Sequence, residues 1–147
     1  MIDFNKETSF NDLTHEMLKE HANNCEQCQL ADERNNVVFN SGNINAELML
    51  IGEGPGQQED EEGVPFIGRA GKLLTKILES VDIHRDDIYI ANTVKCRPPN
   101  NRTPLPDEMT ACQDYLIRQI QLVQPKIICL LGAAAVKAIL GLSLIHI

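Results

Sequence analysis

The sequence contains no tryptophan, and aromatic residues make up only 4% of it. It has no run of about 18 apolar residues, which excludes a membrane-spanning helix. The N-terminal segment MIDFNKETSF lacks the basic and then apolar pattern of a secretory signal. The length of 147 residues and the 43% hydrophobic content are typical of one packed domain. We therefore predict a single intracellular domain that does not associate with a membrane.

Basic residues are also scarce. Lys and Arg number 13 against 21 Asp and Glu, and the net charge of −8 argues against a nucleic-acid partner. The charges are unevenly spread, however, with acids at 59–62 and 86–87. The bases gather in two other stretches: Arg69, Lys72 and Lys76, and then Lys95, Arg97 and Arg102. Such local patches can hold phosphates while the total stays acidic, although ordinary solvated charge explains the same pattern.

Apolar runs and helical periodicities alternate along the chain. Strands are predicted at 47–52, 87–94 and 126–131, and helices at 9–24, around 73–81, from Pro106 to Pro125 and over 132–140. The stretch 53–71, rich in Gly, Pro and acids, is predicted to be a loop. Strands that alternate with helices form a parallel sheet between helical layers, and ligands bind at the carboxyl ends of such strands. Two of these ends, GEGPG and NTVKCRPP, have unusual sequences.

Five cysteines are present, which in a reducing compartment favours ligands or core residues over disulfides. Cys25 and Cys28 have C-x2-C spacing, whereas fifteen residues separate Cys96 from Cys112. Four thiolates in two pairs suit either zinc or a four-iron four-sulfur cluster. Alternatively, Cys112 is a core residue on the apolar stripe of its helix. Cys129 lies inside an apolar strand and is predicted to be a core residue.

Several motifs occur in order at fitting intervals and together resemble the family 4 uracil-DNA glycosylases, from about Cys25 to Gly141. The matching segments are Cys25-x2-Cys28, GEGPGQQEDEEGVPFIGRAG (52–71), NTVKCRPPNNRTP (92–104), Cys112 and PKIICLLGAAA (125–135). The resemblance implies an α/β protein, a three-layer α/β/α sandwich with a short parallel central sheet. It also implies hydrolysis of the N-glycosidic bond of uracil in DNA, which releases free uracil and leaves an abasic site.

The same resemblance implies a 4Fe-4S cluster, which decides between iron–sulfur and zinc. Its ligands would be Cys25, Cys28, Cys96 and Cys112. The expected partner is uracil-containing DNA, single- or double-stranded, and the expected protein is a monomer in a prokaryotic cytoplasm. Competing hypotheses are a catalytically silent iron–sulfur module that binds DNA and a zinc-stabilised α/β domain without a DNA role.

Two side chains are expected to recognise the base, which must leave the duplex before an enzyme reaches its glycosidic bond. Phe66 corresponds to the family's stacking residue, and a Phe between Pro and Gly in a loop is an unusual core residue. Asn92 ends the second strand, where its amide can accept from uracil N3–H and donate to O4. Cytosine presents the reverse pattern, so an amide that cannot rotate reads uracil. Sequence alone would favour a turn-forming Asn92.

The turn GEGPG is expected to complete the site. Gly52, Glu53 and Gly54 would bring backbone N–H groups close to uracil O2, where negative charge develops. The Asp that positions water in another glycosylase family is absent, because Gly54 follows Glu53. We therefore assign to Glu53 water positioning or electrostatic assistance. Glu59 would crowd the C5 side and exclude thymine, or else belong to a solvated acidic loop.

The C-terminal residues depart from the family pattern. The family carries a His-Pro motif near its C-terminus, and this sequence contains no His-Pro pair. The ending LSLIHI matches the translation of a transposon adapter. We therefore expect residues 1–141 to form an incomplete glycosylase-like domain that lacks its last strand, and 142–147 to be a non-native tail.

Overall fold

The computed structural model describes residues 1–142 and has an α/β architecture. The described strands are β1 (Ser41–Gly42), β2 (Leu48–Gly52), β3 (Tyr89–Asn92) and β4 (Ile127–Leu130). The described helices are α1 (His15–Asn23), α2 (Gln57–Glu62), α3 (Arg69–Glu79), α4 (Pro106–Val123) and α5 (Ala133–Leu140). No helix within these residues is long and apolar enough to span a bilayer. The predictions for 142–147 fall, apart from Leu142, outside the described residues.

Within the described chain the strands form one sheet in the order β1-β3-β2-β4. β2 pairs in parallel with both β3 and β4, and β1 adds an antiparallel pair on the far side of β3. Parallel neighbours need crossover connections, which here contain α3 and α4. The register places Gly52 directly beside Asn92. The carboxyl ends of β2 and β3 therefore meet at one edge of the sheet.

Helices cover both faces of this sheet. Met49 and Ile51 pack against α4 and α5, whereas Leu50 and Ile90 pack against Leu78 of α3. This alternation is the period of two expected of a strand buried on both faces. α1 packs on α4 through a further apolar cluster. The predicted three-layer α/β/α sandwich is confirmed, with the antiparallel β1 as an addition.

Three predicted boundaries differ from the structure. The acidic part of the predicted loop contains α2, which ends at Gly63 in the left-handed conformation (φ 74°). The first helix begins at His15 and not at residue 9, because the Thr14 hydroxyl accepts from Met17 N (3.3 Å) and caps it there. β3 is shorter than predicted, since a 3-10 turn at Arg85–Asp87 precedes it.

The prediction that Cys129 is a core residue is wrong. Cys129 is exposed, and Ile127 two residues before it is 63% exposed. β4 forms one edge of the sheet within the described residues. Cys129 lies in register with the buried Leu50, but it stays exposed on this edge strand. An apolar strand pattern therefore did not indicate burial here.

Candidate functional site

A cleft of about 250 Å³ opens at the carboxyl ends of β2 and β3. We call it the Asn92 cleft; its lining residues are Gly54, Gly56, Glu59, Phe66, Gly68, Arg69, Ala70 and Asn92. Its position is the usual one for ligands in an open α/β sheet. The structure thus brings together the two unusual segments around Gly54 and Asn92, which are distant in sequence.

Asn92 is the most informative residue of this cleft. It is 2% exposed, and its side-chain Oδ1 has no hydrogen-bond partner among the described residues. Its backbone carbonyl accepts from Lys95 Nζ at 2.7 Å. An unpaired buried acceptor costs about 1–3 kcal/mol, so such groups mark sites where a ligand completes the bonding. Asn92 therefore offers a fixed acceptor to a ligand in the cleft.

Phe66 lies beside this amide. A Cβ built on Gly52 would come within 2.4 Å of Phe66 Cζ and 2.6 Å of Asn92 Oδ1. The ring edge and the amide oxygen therefore converge over Gly52, where only a hydrogen fits. An aromatic ring next to a buried amide oxygen can bind a planar ring that carries an N–H group.

Backbone hydrogen bonds join the turn after β2 to the segment after β3. Thr93 N donates to the Gly52 carbonyl at 2.8 Å, and Val94 N donates to the Glu53 carbonyl at 3.2 Å. A Cβ on Gly54 would meet Val94 Cγ2 at 2.9 Å, so this close approach favours glycine. Gly54 lines the cleft as predicted, whereas the half-buried Glu53 side chain is not part of its lining.

Glu59 lines the cleft and does not lie in a solvated loop. Its Oε1 accepts from Ile67 N at 3.1 Å and from Gly68 N at 2.9 Å. The carboxylate therefore fastens the backbone that follows Phe66 and approaches the start of α3, where negative charge is favourable. The next acid, Asp60, is 1% exposed and accepts from Asn35 N at 2.9 Å. Glu61 also accepts from Gln57 Nε2 at 2.9 Å, at the surface of α2, so three of the four acids at 59–62 have partners within the protein.

The predicted phosphate-binding residues fall into two groups. Arg69 lies at the cleft wall, and Lys72 and Lys76 follow it along α3, lining an adjacent depression of about 400 Å³. Arg102, by contrast, donates to both carboxylate oxygens of the buried Glu108 at 2.9 and 2.6 Å. These bonds from Arg102 lower the pKa of Glu108. Arg102 is therefore engaged in stabilising the start of α4.

Four of the five cysteines line a second, much smaller cavity of about 10 Å³, the cysteine cavity. Cys25 and Cys28 are half-buried, and Cys96 and Cys112 are buried. They come from the end of α1, the loop after β3 and the second turn of α4. Around no point within residues 1–142 do three or more His, Cys, Asp or Glu side chains gather as ligands of one metal ion. The thiols are instead distributed over the cavity wall, and Cys129 lies apart on β4.

The surroundings of these thiols are dry. Burial raises the pKa of Cys28 and Cys96, and it raises that of Cys112 to about 12. In an empty cavity these groups would therefore be neutral thiols at pH 7. Arg34 Nη1 donates to the Cys25 carbonyl at 2.6 Å and lies 3.5 Å from Cys96 Sγ. A cation beside the sulfurs suits a group that binds them as thiolates.

Sequence reasoning missed the residues that support these sites. Lys95 is 2% exposed. In the chain it lies between Asn92, which lines the cleft, and Cys96, which lines the cysteine cavity. Burial lowers the pKa of Lys95 to about 8. Arg34 contacts the sulfurs, and Arg85 bonds the backbone of Phe66. Each partner is distant in sequence or is a main-chain carbonyl, so no local pattern signals these roles.

The fold and the cleft define a member of the uracil DNA glycosylase superfamily, to which this chain belongs: the superfamily model matches residues 39–147. The chain is 49% identical to the Type-4 uracil-DNA glycosylase of Thermotoga maritima over 122 residues, covering 83% of this chain and 64% of that protein. It is 44% identical to the Type-4 uracil-DNA glycosylase of Archaeoglobus fulgidus over 134 residues, covering 91% and 65%.

A third relative is the Type-4 uracil-DNA glycosylase of Sulfurisphaera tokodaii, 50% identical over 125 residues, with 84% of this chain and 57% of that protein covered. The chain thus spans 57% to 65% of the length of these three relatives.

Proposed function

We propose that the protein removes uracil from DNA by hydrolysing the N-glycosidic bond, which releases uracil and leaves an abasic site. The observation that carries the proposal is the unpaired Oδ1 of the buried Asn92, beside the Phe66 ring in a cleft at the sheet edge. Superfamily membership supports the same reaction. A monomer that acts in a prokaryotic cytoplasm stays a prediction.

Base recognition follows from the geometry of the Asn92 cleft. A uracil flipped out of the strand would stack on Phe66 and direct its N3–H at Asn92 Oδ1. The amide nitrogen would then donate to O4. Because Asn92 is 2% exposed and its backbone is held at both β3 and Lys95, the side chain is kept in place. Cytosine presents an acceptor at N3 and a donor at C4, so it would leave both amide groups unpaired.

Bond cleavage requires stabilisation of the charges that develop on the base and the sugar. The backbone at Gly54 and Gly56 lines the cleft, and N–H groups there would stabilise negative charge on uracil O2. Gly52, which has no side chain, leaves the space that the Phe66 ring edge and the Asn92 amide oxygen occupy. Glu53, next to this turn, is proposed to position water or to stabilise the cationic sugar. Glu59, whose carboxylate accepts from the N–H groups of Ile67 and Gly68, is proposed to hold the backbone after Phe66 and to crowd the C5 side of the base, which would exclude thymine.

The reaction is tested by incubating the chain with a 5′-labelled single-stranded oligonucleotide that contains one uracil. Alkaline treatment cleaves the strand at any abasic site, so we expect a shortened product with uracil and none with thymine at that position. Binding of the uracil strand without any product would contradict the enzymatic proposal. That result would instead favour a catalytically silent DNA-binding module.

We further propose that the strand crosses the basic side of α3. Lys72 and Lys76 are exposed and follow Arg69 from the cleft wall. The phosphates that flank a flipped base stay close to the opening of the Asn92 cleft. Cationic side chains at the edge of the cleft can therefore contact them. This local patch offsets the net charge of −8.

Lys72→Gln should therefore weaken binding of uracil- and thymine-containing single strands to the same extent, because phosphates carry no sequence information. The slope of log K against log salt should fall by about 0.7 for one lost phosphate contact. Fluorescence anisotropy at several salt concentrations measures both. The matched control is Lys19→Gln, an exposed lysine of α1 away from the cleft. An equal loss in the two variants would remove α3 from the DNA path.

For the cofactor, we propose a 4Fe-4S cluster held by Cys25, Cys28, Cys96 and Cys112. Four thiols around one dry cavity, with Arg34 beside them, are a donor set that fits such a cluster. When bound, the cluster would supply a cross-link between three segments of the chain and would be coupled to folding. The cavity lies next to the Asn92 segment through Lys95. The proposed role is therefore structural support of the base site.

A further inference from the structure

The Phe66 loop, residues 63–68 between α2 and α3, holds its aromatic residue in an unfavourable backbone conformation. Phe66 has φ 54°, in the left-handed region that residues with a Cβ rarely adopt. Strained positions of this kind persist only where the surrounding structure imposes them, and they concentrate at functional sites. The contacts around Phe66 therefore identify the groups that impose this conformation.

Arg85 makes the main contact from outside the loop. Its Nη2 donates to the Pro65 carbonyl at 2.9 Å, and its Nη1 donates to the Phe66 carbonyl and to Thr75 Oγ1, the latter at 3.2 Å. One planar guanidinium thus binds two consecutive carbonyls and anchors them to α3. A lysine cannot reproduce this forked geometry, because its ammonium is a single point of donation.

Two further features restrain the other side of Phe66. The Glu59 carboxylate binds the N–H groups of Ile67 and Gly68. A Cβ on Gly71 would come within 1.9 Å of the Phe66 carbonyl oxygen, so the backbone lies directly against α3. The carbonyls of Pro65 and Phe66 and the N–H groups of Ile67 and Gly68 are therefore all hydrogen-bonded. The Phe66 ring projects over Gly52.

We propose that Arg85 is a positioning residue that keeps Phe66 in its left-handed conformation, so that the ring forms a prearranged stacking surface for a flipped uracil. The proposal rests on the proposed function. Without Arg85 the loop can relax toward negative φ, and the ring would leave its place over Gly52. The base would then have to order the loop on binding, which weakens affinity.

The absence of tryptophan from the sequence provides a direct probe. Phe66→Trp introduces a single indole at the stacking position, and its emission reports both solvent exposure and contact with a base. In this background Arg85→Gln should shift the emission of the free protein to the red and increase quenching by acrylamide. Affinity for a short single strand containing one uracil should fall about tenfold, as expected for losing charged hydrogen bonds.

Arg85→Lys should restore part of the affinity, since it keeps one bond and the charge. The matched control is Arg118→Lys. Arg118 is also half-buried and donates to a backbone carbonyl, that of Leu13 at 2.9 Å, but far from the cleft. Far-UV circular dichroism and thermal unfolding confirm that each variant is folded. If Arg85→Gln does not fold, the comparison between Arg85→Lys and Arg118→Lys decides, because only the former should change emission and affinity.

Unchanged emission and affinity after loss of Arg85 would overturn the proposal, and so would an equal change in the Arg118 control. A different result would contradict the proposed function. The emission of the Phe66→Trp parent would then change equally with uracil- and thymine-containing strands, and the unsubstituted chain would release no uracil.

Discussion

Replacing Asn92 by alanine is expected to reduce uracil release at least about tenfold. The substitution removes the amide that is proposed to accept from N3–H of uracil and to donate to its O4. Losing a buried recognition group costs about 1–3 kcal/mol, and about 1.4 kcal/mol corresponds to a factor of ten. Because Asn92 Oδ1 has no protein partner among the described residues, its removal breaks no internal side-chain bond at that atom. Initial rates on a uracil-containing single strand measure the effect.

The matched control for this substitution is Asn45→Ala, an exposed asparagine before β2. It should release uracil at the rate of the unsubstituted chain. Both variants should retain the far-UV dichroism of the parent. An unchanged rate in Asn92→Ala would remove this residue from the site and leave the cleft without its specificity determinant.

Replacing Cys112 by alanine is expected to abolish iron binding and to destabilise the fold. Cys112 is 6% exposed within α4, so the cavity would lose a ligand that no neighbouring group can substitute. The proposed cluster would cross-link the end of α1, the loop after β3 and α4. Losing a native cross-link typically costs about 2–5 kcal/mol, and for a domain of this size each kcal/mol lowers Tm by about 2–4 °C.

Cys129→Ala provides the matched control, since Cys129 is exposed on β4 and lies outside the cysteine cavity. It should keep the iron content, the visible absorbance and the Tm of the parent. Iron and zinc per chain are measured together after anaerobic purification. Zinc in place of iron in the parent would refute the cluster, and iron retained by Cys112→Ala would refute the ligand set.

Local patterns were sufficient to predict the layers, whereas Phe66 and Asn92 were proposed as site residues from the resemblance to the glycosylase family. The alternation of apolar strands with amphipathic helices predicted three layers, because each element must bury one face or stripe. Asn92 and the GEGPG turn were placed at one sheet edge because parallel strands end on the same side. The C-x2-C pair with Cys96 and Cys112 was recognised as a possible ligand set, and the structure brings all four to one cavity.

Burial along the edge elements could not be predicted in this way. Leu73 and Ile77 share the apolar pattern of α3 with Leu78, yet they are 59% and 53% exposed while Leu78 is 6% exposed. Cys129 is likewise exposed although its strand is apolar, because β4 lies at an edge of the described sheet. Periodicity shows which residues share a face, but the neighbours that cover the face are set by the order of strands in the sheet.

The sequence by itself determined the α/β class and a possible set of four cysteine ligands, since periodicity and spacing are local properties, whereas the roles proposed for Phe66 and Asn92 came from the resemblance to the glycosylase family. Only the tertiary structure decided which residues hold these groups in place. Arg85 reaches back to the carbonyls of Pro65 and Phe66, and Lys95 turns back to Asn92. Every residue has a main-chain carbonyl. Which carbonyl a side chain such as Arg85 binds therefore depends on the folded geometry and cannot be predicted from a sequence pattern.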